Sequence, residues 1–138
     1  MIPAIIYTNE KGGVALCMPS GEIPVEAVQA KDIPEGVESY IVDLDTLPRA
    51  DMDFFGAWEQ VGGVVSINIE KAKDITKERL RFQRQPFLAE QDVLFQRALE
   101  TGQPTADIVA EKQRLRDLPS LADACTTLDE LRALKAEK

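Results

Sequence analysis

Apolar and polar positions follow two different rhythms along this chain, and the change falls at about residue 70. Before it, short β-branched runs are broken by glycine and proline. Residues 4–8 form one such run and residues 14–18 another. Asn9-Glu10-Lys11-Gly12-Gly13 between them predicts a β-hairpin, closed by Pro19, Ser20 and Gly21. Residues 23–31 predict a short helix, with Pro24 in its first turn and Ile33-Pro34 as its stop. Ser-Tyr-Ile-Val-Asp at 39–43 reads as a third strand. Leu47-Pro48 opens an irregular acidic stretch through Asp51 and Asp53. Further on, Val65, Ile67 and Ile69 alternate with Val64, Ser66 and Asn68. Residues 57–69 therefore predict a second hairpin, turning at Val61-Gly62-Gly63.

From Glu70 onward the chain is rich in Lys, Arg, Glu, Gln, Ala and Leu, which favour helix. Leu80, Phe87, Leu88, Leu94, Phe95, Ala98 and Leu99 recur at steps of three, four and seven and mark one apolar face. Gly102 suits the left-handed residue that ends a helix. Pro104 can open the next helix, whose inner face carries Ile108, Val109, Leu115 and Leu118, and Pro119 ends or bends it. Thr127-Leu128-Asp129-Glu130 has capping-box spacing before a terminal helix. Pro86 is the discord: inside a helix it removes a hydrogen bond and clashes with the preceding turn. Residues 70–101 are then two helices meeting at Gln85-Pro86, or one kinked helix. The unbroken apolar face favours the kink.

The expected fold is α+β. A small antiparallel sheet domain of four or five strands with one short helix occupies residues 1–69, and a helical domain occupies residues 70–138. The second domain is expected to be a helical hairpin with a kinked long helix. Leu94, Phe95 and Leu99 should be buried against Ile108, Leu115 and Leu118.

Charge sharpens this division. The chain of 138 residues has a formal net charge of -8. Residues 1–69 hold only Lys11, Lys31 and Arg49 against eleven acids, whereas acids and bases balance in the remainder. An acidic front half repels nucleic-acid phosphates and anionic membranes. Residues 71–85 run the other way, with Lys71, Lys73, Lys77, Arg79, Arg81 and Arg84 against Asp74 and Glu78. Such a helix can bind phosphate backbones, or it can lie against the acidic half, within one chain or across a dimer. A homo-oligomer, most simply a dimer, follows from the second option.

Histidine is absent, which removes the commonest general base and metal ligand. Cys17 and Cys125 stand far apart and without a thiol neighbour, so they read as free thiols suited to a reducing cytosol. The N-terminal run lacks a basic leader segment, and no stretch approaches the ~20 apolar residues of a membrane span. The pairs Asp43/Asp45 and Asp51/Asp53 can hold a divalent cation, but they also describe a solvated sheet edge. Lys11-Gly12-Gly13 lacks the spacing of a phosphate loop and suits a hairpin turn. Phe54, Phe55 and Trp58 crowd three of the eight aromatics into five residues, either as core beneath a loop or as an exposed partner anchor. No catalytic, cofactor-binding or metal-ligating residue is assigned. The candidate partner contacts are Phe54, Phe55 and Trp58 with Arg79, Arg81 and Arg84.

One set of residues carries a resemblance. Arg81-x-x-Arg84-x-Pro86-x-Leu88 is followed by Asp92-x-x-Phe95-x-x-Ala98-Leu99-Glu100-x-Gly102. Then come Ile108, Lys112-Gln113-x-Leu115-Arg116-Asp117 and Thr127-x-x-Glu130-Leu131. In the first half, Ile5-Ile6-Tyr7, Gly13-Val14-Ala15, Ile33-Pro34-x-Gly36-Val37, Ile41-Val42-Asp43 and, taken loosely, Phe55 with Ala57-Trp58-Glu59 join them. This pattern resembles a group of small proteins encoded in tailed bacteriophages and prophages, usually beside tail-fibre genes. Gln91 departs from it, standing where an apolar residue would precede Asp92. The resemblance implies a non-enzymatic tail-fibre assembly helper or minor tail component. It would contact phage structural or tail proteins, in the bacterial cytoplasm or in the virion. The alternatives are a nucleic-acid-binding accessory protein using residues 71–85 and a metal-dependent enzyme using the paired acids.

Overall fold

A computed structural model describes residues 2–137 and divides the chain into two units, Met1–Lys71 and Ala72–Lys138. The class is α+β, with small antiparallel sheets in the first unit and helices in the second.

In the first unit, β1 (Pro3–Thr8) is the central strand, flanked by β2 (Val14–Cys17) and β3 (Ser39–Asp43), both antiparallel to it. Ala4, Ile5 and Ile6 are all buried, which explains a continuous apolar run at the centre of the sheet. Asn9 makes the first turn. Its Oδ1 accepts from the backbone N–H groups of Lys11 and Gly13 at 2.9 and 3.0 Å, and Gly12 takes φ +83°. Helix α1 (Val25–Asp32) packs on β1 and buries Val28. The Gln29 amide donates to Ser39 Oγ of β3 at 2.9 Å.

The acidic stretch after β3 is ordered. It forms 3₁₀ turns at Leu44–Thr46 and Arg49–Ala57, the second broken at Asp51 and Phe54. Its apolar residues Leu44, Leu47, Phe54 and Ala57 are buried.

The second hairpin, β4 (Trp58–Val61) and β5 (Val64–Ile67), pairs only with itself. The expected sheet of four or five strands is therefore two sheets, of three strands and two. The physical reason is the hairpin's apolar face. Trp58, Val65 and Ile67 join Ala4, Ile6, Val14, Leu44 and Leu47 in one core. The hairpin thus covers the three-stranded sheet and does not extend its edge. Its turn is Gly62-Gly63, both at positive φ, and a Cβ on Gly63 would sit 3.2 Å from Tyr40 Cβ.

Helix α2 (Ile69–Thr101) begins on Asn68, whose Oδ1 accepts from the N–H groups of Glu70 and Lys71 at 2.9 and 3.2 Å. It runs through Pro86 as one helix of 33 residues. Gly102, at φ +70°, ends it, and the Gln103 N–H reaches back to the Ala98 carbonyl at 2.8 Å. Helix α3 (Ala106–Asp117) starts two residues after Pro104 and returns antiparallel to α2. Arg84 meets its C-terminal end, while Asp92 pairs with Lys112 at 2.7 Å. A 3₁₀ segment, Leu118–Ala124, leads to α4 (Leu128–Ala133). The capping box is present: Thr127 Oγ1 accepts from the Glu130 N–H at 3.2 Å.

The buried face of α2 differs from the expected one. Ala72, Thr76, Leu80 and Ala98 are buried, Phe87, Leu88 and Phe95 half-buried, and Leu94 and Leu99 exposed. Two helices in a hairpin cover only a narrow strip of each other, so Leu94 and Leu99, to either side of the strip, stay in water. Leu115 and Leu118 are buried as expected, and Ile108 is half-buried.

Burial sets the stability consequences. Leu115→Ala should cost about 2–5 kcal/mol in denaturant unfolding, and Leu99→Ala under about 0.5 kcal/mol. Equal costs would show that the α2–α3 strip is drawn through the wrong residues.

Candidate functional site

The basic stretch at the start of α2 holds six cations, and three of them, Lys73, Arg79 and Arg84, donate to backbone carbonyls. Arg79 Nη2 donates to the carbonyls of Leu131 at 2.9 Å and Leu134 at 2.6 Å, at the C-terminal end of α4. Five residues on, Arg84 Nη1 donates to the carbonyls of Leu115 at 3.2 Å and Arg116 at 2.9 Å, in the last turn of α3. Lys77 pairs with Asp123 at 2.6 Å, and Lys73 donates to the Asp123 carbonyl at 3.3 Å. The last carbonyls of a helix lack intrahelical donors and carry its partial negative charge. Cations spaced along α2 therefore close the ends of α3, the 3₁₀ segment and α4. Lys77 beside it holds the Asp123 carboxyl below its usual range. Arg81 stands apart: it pairs with Glu78 at 2.5 Å on an exposed face.

Of the candidate contacts, Arg79 and Arg84 thus serve the interior of their own unit, and Arg81 faces solvent. The aromatic candidates also resolve. Phe54 and Trp58 are buried, and Phe55 is half-buried with its ring 4.9 Å edge-on from Trp58. Trp58 Nε1 donates to the Asp51 carbonyl at 3.3 Å. Phe54 and Trp58 are core and not exposed anchors, because the 3₁₀ turns fold the chain back over them.

The paired acids do local work. Asp43 Oδ1 accepts from the Asp45 N–H at 3.1 Å, and Asp45 pairs with Arg49 at 3.1 Å. Among the described residues, no three Cys, Asp or Glu side chains gather as a metal site. Lys11-Gly12-Gly13 is the hairpin turn already described. Cys17 is half-buried and Cys125 buried, both as free thiols. No described helix is long and apolar enough to cross a membrane.

What sequence reasoning missed is the exposed apolar surface. Val61 and Val64, at the tip of β4–β5, are 83% and 72% exposed. Met18 and Met52, also exposed, border a groove of about 450 Å³ floored by Leu16, Leu44, Leu47 and Trp58. Valines flanking Gly62-Gly63 were the available signal, since a solvated hairpin tip ordinarily carries polar residues. Compared with known proteins, the chain matches no family model, no curated protein and no solved structure.

The two arginine roles separate cleanly by mutation. Arg79→Ala removes the donations to the Leu131 and Leu134 carbonyls, leaving Leu131 only the 3.3 Å bond from the Leu134 N–H, and should cost about 1.5–3 kcal/mol. Arg81→Ala should fall within about 0.5 kcal/mol of the parent. Matching values from chemical unfolding would dismiss the capping role.

Acid should act through the depressed carboxylates. Lys77 lowers Asp123, Arg114 lowers Glu111, and hydroxyl donors from Thr126 and Thr127 lower Glu130. A carboxylate whose folded value lies below its unfolded one stabilises the fold fully above the unfolded value, about 4. That contribution fades as pH falls through the lower folded value. Asp123→Asn should therefore be less stable than the parent at neutral pH and indistinguishable from it near pH 2. A stability gap that persisted undiminished into acid would contradict the assignment.

Proposed function

We propose that this chain is a non-enzymatic protein of a phage or prophage tail region. It acts as a tail-fibre assembly helper or minor tail component through protein–protein contacts. One observation carries the reading: several of the residues that resemble the phage-encoded group take part in building the helical unit. Arg84 closes α3. Asp92 pairs with Lys112, whose ammonium lies 5.0 Å over the Phe95 ring. Ala98 and Leu131 are buried, and Thr127 with Glu130 caps α4. The resemblance thus follows a connected set of fold determinants, which composition alone would not produce.

The polar groups support the same reading. Arg79 and Arg84 spend their donors on carbonyls of their own unit, which leaves less of the basic stretch to meet phosphates. Asp43 and Asp45 are held in a turn and an ion pair. The surface left for a protein partner is apolar and exposed, at Met18, Met52, Val61 and Val64.

Co-expression with a phage tail-fibre polypeptide tests the proposal. The expected outcome is a fibre protein that becomes soluble and purifies with this chain at fixed stoichiometry. Unchanged fibre solubility, or retarded migration of DNA with this chain at ordinary salt, would overturn it.

A further inference from the structure

Helix α2 carries two apolar stripes on opposite faces. At about 100° per residue, Leu80, Arg84, Phe87, Gln91, Phe95 and Ala98 fall on one side. That side meets α3, through Arg84 at one end and through Phe95 beneath Lys112 at the other. Phe82, Pro86, Ala89 and Val93 recur at i, i+4, i+7 and i+11 on the reverse side, and all four are exposed. Phe82 is 74% exposed and Val93 50%. A phenylalanine left in water at the head of a straight apolar stripe marks a contact face.

We propose that this stripe joins two copies of the chain, with α2 of the second copy packed antiparallel about a two-fold axis between Pro86 and Ala89. The inference stands on the helix alone and is independent of the functional reading. The sequence of the stripe is self-complementary end to end, as an isologous interface requires. Antiparallel pairing about that axis sets Phe82 against Val93 of the second copy, and Pro86 against its Ala89. Two small side chains at the crossing let the helices approach closely. One turn further out, Glu78 meets Arg97.

Charge selects the same orientation. On the line of the stripe itself the flanking charges are Glu78 before Phe82 and Arg97 after Val93. An antiparallel pair sets each against its opposite in the second copy, while a parallel pair would set Glu78 against Glu78 and Arg97 against Arg97. Glu78 is already paired with Arg81 along its own helix, and its side chain is 75% exposed, so a second cation can reach it. One helix pair gives an interface at the small end of specific ones, below about 1,200 Å². The dimer is therefore reversible and concentration-dependent.

Sedimentation equilibrium of the full chain over a wide concentration range tests this. The mass should rise from 15.3 kDa toward twice that value. Phe82→Glu, at an exposed position, should keep the circular dichroism of the parent and weaken association roughly 100-fold. Glu78→Arg alone should weaken it as well, and adding Arg97→Glu should restore it. A 15.3 kDa species at every concentration would overturn the proposal, and it is the result expected if another protein covers the stripe. A dimer indifferent to Phe82→Glu, or a double variant no better than Glu78→Arg, would overturn it equally.

Discussion

The helical unit depends on two arginines donating to helix ends. Helix α4 has only six residues and α3 twelve, lengths at which a helix in water is marginal. Each ends in carbonyls that its own backbone cannot satisfy. Arg79 and Arg84 lie five residues apart on α2, and their guanidinium groups fix the ends of α4 and α3 to that one helix. The long helix thus serves as the template that the short ones are cut to. In each arginine a single terminal nitrogen, Nη2 of Arg79 and Nη1 of Arg84, donates to both carbonyls.

The fold was legible where a local signal and a packing need agreed. Asn9 with Gly12-Gly13, Gly102 and the Thr127–Glu130 box each show a turn or cap in the residue types themselves, and the structure has them there. Sheet number was not legible. Alternation in residues 64–69 identifies a strand with one buried face, but it is silent on whether that face lies over another sheet or its edge joins one. The ordered 3₁₀ segment was hidden for a related reason: Leu44, Leu47, Phe54 and Ala57 are buried at irregular spacings, so no periodicity announces them.

The candidate contacts were legible as residue types and not as roles. A run of bases reads as a surface for anions, yet Arg79 and Arg84 are bound to carbonyls that only the folded chain brings near, 31 to 55 residues away. The aromatic cluster reads more readily as core than as anchor, and the turns over it decide for Phe54 and Trp58. The apolar periodicity of α2 was read as one face because Leu94 and Leu99 lie close to the covered strip in angle. The opposite stripe is inconspicuous because proline and alanine form its middle.

Asn68 ties the start of α2 into the first unit. Its N–H donates to the Ala57 carbonyl at 2.8 Å and its side-chain amide to Glu59 at 2.5 Å, while Lys71 pairs with Glu59 at 3.6 Å. The costly step in making any helix is closing its first turn, which is disfavoured by a factor on the order of 1,000. Here that turn is held by side chains of a β-hairpin that precedes it in the chain. Synthesis makes the sheet residues first, so the Asn68 cap and its Glu59 partner precede the helical residues that they help to nucleate. In chain order Arg79 and Arg84 also precede the carbonyls to which they donate, by 31 to 55 residues.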